Sequence, residues 1–193
     1  DELEKRRDEA RGKIVFFSRP LDQATVNTFT GYGNAVDQRV YGANEGAKYG
    51  AVGMLVRSIT TQYDNVPHTG VMIYADSLPK IPAATLGYTD ADFLSSALKE
   101  DPNLTVSLKL NCKTLPDAQS YNVIGEIKGS EFPDEIILVG GHIDSWDVGE
   151  GAHDDGAGCT QAMEVVDLFK RLNITLKRTI RIVLFINEEN GGR

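Results

Sequence analysis

The sequence predicts an α/β chain in two parts, and three observations carry that reading. Apolar runs of strand length alternate with amphipathic stretches of helical period along most of the chain. A polar stretch with Pro116, from Thr114 to Ser120, separates two regions of different texture. In the second region two apolar runs, Ile136 to Val139 and Ile180 to Ile186, flank a helical stretch, the pattern of a βαβ crossover in a largely parallel sheet.

In the first part, Asp1 to Arg11 is mostly charged with one large apolar residue, Leu3, and reads as a solvated helix or tail. Lys13 to Phe17 and Val52 to Val56 read as buried strands on either side of a Gly- and Ala-rich helix, Tyr41 to Tyr49. A polar loop, Ser58 to Gly70, leads to a short strand at Val71 to Tyr74. Pro79 and Pro82 then bracket an extended link into Ala83 to Leu86. Thr89, three residues before Asp92, is placed to cap a helix with Phe93, Leu94, Ala97 and Leu98 on one face. Val106, Leu108 and Leu110 alternate with polar neighbours as a half-buried strand does.

In the second part, Asn122 to Ile127 is a further strand. The helix between the last two strands runs from about Gly158 to Leu172, with Ala162, Val165, Val166, Phe169 and Leu172 at helical spacing. The expected divisions are 1–11, 12–118 and 119–193.

At 193 residues with 41% hydrophobic content, the chain is long enough to bury a real core. Its 28 Asp and Glu against 20 Lys and Arg give a formal charge of -8, dispersed rather than blocked, which argues against a nucleic-acid groove. The apolar runs fall far short of the roughly 20 residues needed to span a bilayer, so no membrane segment is expected here. Cys112 and Cys159 are too few for a disulfide framework and read as free or paired with each other. The chain opens at Asp1 without a signal peptide and stops at Arg193 just after an acidic motif, so both ends are expected to be cut ends.

Three motifs carry chemistry. The run Gly140-Gly141-His142-Ile143-Asp144-Ser145-Trp146-Asp147 follows a buried strand, where open α/β sheets gather functional groups. A neutral imidazole binds zinc through one nitrogen while the other is held by an acceptor, and Asp144 is placed to be that acceptor; alone, the run also reads as a polar loop. In Gly151-Ala152-His153-Asp154-Asp155-Gly156-Ala157-Gly158, an Asp at a helix start is either an N-cap or a carboxylate able to bridge two ions, with Asp154 the candidate. Asn187-Glu188-Glu189-Asn190-Gly191-Gly192 ends the last strand. Its paired Glu form a solvated turn or, beside a metal, divide the work of ligand and general base. A strand-end His, a helix-start Asp and a strand-end Glu pair at one sheet edge favour a metal site.

These three motifs, in this order, resemble the co-catalytic zinc aminopeptidase and carboxypeptidase family. The resemblance spans nearly all of the chain from about Gly12, with Pro67-His68-Thr69-Gly70 and Lys80-Ile81-Pro82 adding to it, but only the middle of the family's length. It implies two zinc ions per complete site, with His142 and Glu189 each a ligand to one ion, Asp154 bridging both, Glu188 as general base and Asp144 supporting His142. A further Asp and a His are implied downstream and do not lie in this chain. His68 and His153 match neither position. The first domain resembles the protease-associated insertion of this family.

The expected activity is exopeptidase hydrolysis of dipeptides or small peptides, in an extracytoplasmic or secreted protein. The alternatives are a non-catalytic binding module on a degenerate scaffold, or a zinc amidohydrolase acting on non-peptide amides. Alone, the 193 residues are expected to be inactive, to bind zinc weakly or not at all, and either to pair as a homodimer through an uncovered sheet face or to be poorly ordered near Glu188. The sequons at Asn103 and Asn173 and the aromatic Trp146 carry no separate assignment.

Overall fold

A computed structural model of the chain describes residues 2–192. The chain divides into two compact units between Lys113 and Thr114.

The first unit begins with two one-turn helices, α1 (Glu2–Lys5) and α2 (Arg7–Ala10), tied by ion pairs from Arg6 to Glu2 and Glu9. It is built on a parallel three-stranded sheet, β1 (Ile14–Phe17), β2 (Gly53–Arg57) and β3 (Ala83–Leu86), in that spatial order. Ile14 pairs with Gly53 and Met54 with Ala83, so β2 is central and buried throughout. A short helix, α3 (Thr28–Gly33), precedes α4 (Asp37–Lys48), and α5 (Tyr88–Glu100) follows β3.

Small residues let α4 lie close on the sheet. Ala43 and Ala47 are buried with Met54, Val56 and Ile81, and a Cβ on Gly42 would already stand 3.1 Å from the Phe17 ring. Glycine lowers helix propensity by about 1 kcal/mol relative to Ala, and here it sits where a larger side chain would meet the ring.

Two expected strands of this unit are absent, and their hydrogen bonds explain why. The segment around Ile73 bonds to α4 instead of to a strand: Ile73 N–H donates to the Val40 carbonyl at 3.0 Å, and the Asn44 amide donates to Ile73 O and accepts from Ala75 N–H. Residues 106–110 keep their alternating pattern but join no ladder among the described residues, and Val106 and Leu110 are exposed. The helix near Thr89 is present, but Gly87 occupies its N-cap position without a side-chain bond. Asp92, which would have completed a capping box, pairs at 2.7 Å with Arg57, whose buried guanidinium also packs on Tyr88 and bonds to Ser18 O. Helix α3 was not expected. Its signal was Asn27, whose Oδ1 accepts from Phe29 and Thr30 N–H, but the Gly-rich segment that follows conceals it.

The second unit holds β4 (Val123–Ile127), β5 (Phe132–His142), α6 (Gly156–Arg171) and β6 (Arg178–Phe185). The spatial order is β4-β6-β5. β5 and β6 are parallel, joined through α6 as expected; β4 pairs antiparallel to β6, so this sheet is mixed and the fold class remains α/β. A register shift between Phe132 and Ile136 lets β5 run on to His142, opposite Phe185. Cys159 and Ala162 of α6 pack on Val139, Ile182 and Leu184. By strand alternation the opposite face carries Ile124, Ile136 and Leu138, exposed at 62%, 45% and 55%. Both cysteines are free, Cys112 exposed and Cys159 buried. No helix among the described residues is long and apolar enough to cross a membrane.

Candidate metal centre

The site is built where β5 and β6 end side by side and α6 begins. His142 is the last residue of β5, and its side chain is 12% exposed. Its Nδ1 lies 2.9 Å from the main-chain oxygen of Asp144. A carbonyl can only accept, so Nδ1 carries the proton of that bond. Nε2 is thereby turned toward the Asp154 carboxylate, with Oδ1 at 2.9 Å, and toward Glu188, with Oε2 at 3.9 Å.

Asp144 supports the site differently from the simple expectation. Its carboxylate stands 3.6 Å from His142 Nδ1, and its two oxygens accept from successive backbone amides across the gap between strands. Oδ1 takes Glu188 N–H and Oδ2 takes Glu189 N–H, both at 3.1 Å. One side chain thus orients the Glu pair, while its own backbone orients the imidazole.

The Glu pair is set up by a turn. Asn187, just beyond β6, has φ +70, a left-handed conformation that Asn tolerates better than most side chains. Gly192 N–H then returns to Asn187 O and Gly191 N–H to Glu188 O. The Glu188 and Glu189 amides are consequently aimed at Asp144.

At the start of α6 the two neighbouring carboxylates part. The Asp154 side chain is 82% exposed and points to the imidazole, whereas Asp155 is the N-cap and its carboxylate accepts from the backbone amides of Gly158 and His142. Local pattern alone does not divide these roles, because the two residues are adjacent and identical; only the family resemblance singles out Asp154. Asn122, read from the sequence only as the start of a strand, accepts from Ile186 N–H at 2.9 Å and joins His142, Asp155 and Glu188 in lining a cleft of about 330 Å³.

His142, Asp154 and Glu189 each bring one donor atom to within 4.8 Å of the others. Electrostatics around them is unbalanced: four carboxylates, Asp144, Asp154, Glu188 and Glu189, surround one imidazole. Burial lowers the His142 pKa, but the Asp144 backbone oxygen, the Asp154 carboxylate and the charge of Glu188 outweigh it and hold the group above its ordinary value. Burial also opposes ionisation of Asp144, yet the Glu189 and Glu188 amides keep its carboxyl below the usual range. Glu189 is pushed up, by burial first and then by the charge of Asp154. An excess of negative groups around a single imidazole is a setting that a divalent cation relieves.

The remaining histidines stand apart from this cluster. His153 lies in the loop before Asp154, exposed, and His68 belongs to the first unit, where its N–H donates to Ser58 Oγ. Trp146 is half-buried and does not line the cleft.

Residues 122–192, which contain His142, Asp144, Asp154, Asp155, Glu188 and Glu189, match the model of peptidase family M28. The family resemblance carried by the three motifs is therefore a resemblance to the M28 peptidases. More particularly, the chain is similar over its whole length to carboxypeptidase Q. It is 44% identical to the mouse protein and 43% to the human one, covering 100% of this chain and 39% of each relative. Among solved structures, a peptidase M28 precursor from Shewanella amazonensis SB2B superposes with a TM-score of 0.85 at 40% identity, over 95% of this chain and 41% of that one. The chain thus spans well under half the length of the relatives it matches.

Proposed function

We propose that this chain is an internal part of a zinc-dependent exopeptidase acting on dipeptides or small peptides, its second unit supplying the first half of the catalytic domain. The observation that supports this best is the convergence of His142, Asp154 and Glu189 within 4.8 Å, inside the segment that matches an M28 peptidase. Similarity to carboxypeptidase Q supports action at a chain end. The further Asp and His that such a site requires would come from residues beyond this chain.

The donor set fits zinc. One imidazole nitrogen and carboxylate oxygens are zinc ligands, and a His whose second nitrogen is held by an acceptor is the usual zinc-binding arrangement. His142 and Glu189 would each serve one ion, with Asp154 shared between two. When bound, zinc supplies Lewis-acid polarisation of the scissile carbonyl and lowers the pKa of the attacking water.

The protein's own groups do the rest. Asp144 holds the imidazole through its backbone and the Glu pair through its carboxylate. Glu188 is fastened by its amide, which leaves its half-exposed carboxylate able to accept a proton from the attacking water and return it to the leaving amine.

The test is hydrolysis by the zinc-loaded full-length protein of a panel of dipeptides with free or blocked termini. Cleavage of free dipeptides that a chelator abolishes and zinc restores is the expected result. Zinc-dependent cleavage of blocked, non-peptide amides alone would assign an amidohydrolase, and no cleavage of any member by a zinc-replete protein would leave a binding module.

A further inference from the structure

Asp155 has no part in the chemistry above, yet its carboxylate sits in a socket cut to its size. Oδ1 accepts from Gly158 N–H at 3.0 Å, which caps α6. Oδ2 accepts from the backbone N–H of His142 at 3.1 Å, in a different element thirteen residues upstream. The positions facing it admit no side chain: a Cβ on Gly141 would lie 2.3 Å from Oδ2, and one on Gly158 would lie 2.2 Å from Oδ1.

The same turn of α6 grips the other side of the His142 residue. The Cys159 thiol donates to the His142 carbonyl at 3.1 Å, and Cys159 N–H in turn bonds to Asp155 O at 2.9 Å. His142 therefore has its N–H held by Asp155 and its C=O held by Cys159. A helix cap alone needs one acceptor oxygen; Asp155 supplies two, and the second goes to the strand-end histidine.

We infer that Asp155 is a positioning residue of the metal centre: its carboxylate ties the end of β5 to the start of α6 and so sets His142 against the neighbouring Asp154. This inference rests on the zinc-site reading above. The two adjacent aspartates then have separate tasks, Asp154 facing the imidazole and Asp155 fixing the backbone that carries it.

The test separates capping from positioning in the full-length protein. Asp155→Ser keeps an N-cap hydroxyl for Gly158 but cannot also reach His142, whereas Asp155→Ala loses both bonds. Gln161→Gly weakens α6 at an exposed interior position without touching the Asp155 carboxylate. Zinc affinity by competition titration, melting temperature, and amide hydrogen exchange at His142 are measured for each.

The expected result is that Asp155→Ser melts near the parent temperature but binds zinc roughly 10- to 100-fold more weakly, with faster exchange at the His142 amide. Asp155→Ala should lose in all three, and Gln161→Gly in melting temperature only. Parent-like zinc affinity in Asp155→Ser would make Asp155 a helix cap and overturn the inference. Equal loss of zinc in Gln161→Gly would overturn it too, by tracing the effect to helix stability. A parent protein that takes up no zinc would instead bring down the metal reading itself, and unchanged exchange at His142 in Asp155→Ser would remove the contact whatever the metal does.

Discussion

Asp144 shows how much of this site rests on single side chains. It lies two residues after His142, and its carboxylate spans the strand ends to bind the Glu188 and Glu189 amides. Asp144→Asn keeps one acceptor oxygen but turns an NH₂ group toward an amide donor, so one of the two tethers is lost. Zinc affinity or turnover is expected to fall roughly 10- to 100-fold with the fold retained. Zinc titration beside circular dichroism checks this, and unchanged affinity and activity together would reduce Asp144 to a loop residue. Glu188→Gln is expected to keep its metal and lose turnover by about 100-fold or more, because a carboxamide cannot accept a proton. Near-normal rates in a fully metallated Glu188→Gln protein would remove Glu188 from the base role. At this scale the positions of His142, Asp154 and Glu189 were legible, since each follows a recognisable strand or precedes a recognisable helix. The double duty of Asp144 was not, because its partners are backbone amides more than forty residues away. The task of Asp155 was hidden as well, since sequence shows a second Asp but not which one turns inward.

Elements follow the same division between local and distant signals. Strands β2 and β6 and helices α4 and α6 were readable because their apolar pattern matches the face they bury, and β5 from its apolar run alone, since Ile136, Ile137 and Leu138 stay exposed. The segment around Ile73 has an equally apolar pattern but is no strand, since its backbone groups are taken by Val40 O and the Asn44 side chain. Asn44 is itself buried within α4, so its amide replaces a missing neighbouring strand. Asn44→Ala would leave Ile73 O and Ala75 N–H without that partner and is expected to destabilise by about 1–3 kcal/mol. A denaturant midpoint measured on the chain tests it; a shift too small to resolve would mean that water replaces the amide. The antiparallel pairing of β4 was likewise outside local reach. Direction in a sheet depends on how the chain returns, and nothing in Val123–Ile127 encodes it.

For the molecule as a whole, the ligand set and the sheet face point the same way. Three candidate ligands converge, and the face opposite α6 leaves Ile124, Ile136 and Leu138 in solvent. An uncovered apolar surface of this kind marks a place where more protein packs. The 193-residue chain alone is therefore expected to be inactive on dipeptides and to bind zinc far more weakly than the full-length protein. Tight zinc binding with measurable turnover by the isolated chain would show that the three ligands suffice. The most direct measurement is the zinc content of the full-length protein and of its Asp154→Ala variant after dialysis, determined by elemental analysis. If Asp154 bridges two ions, the parent should hold about two zinc ions per chain and the variant close to none, because one carboxylate is withdrawn from both. A variant that keeps the parent's full zinc content would contradict the site.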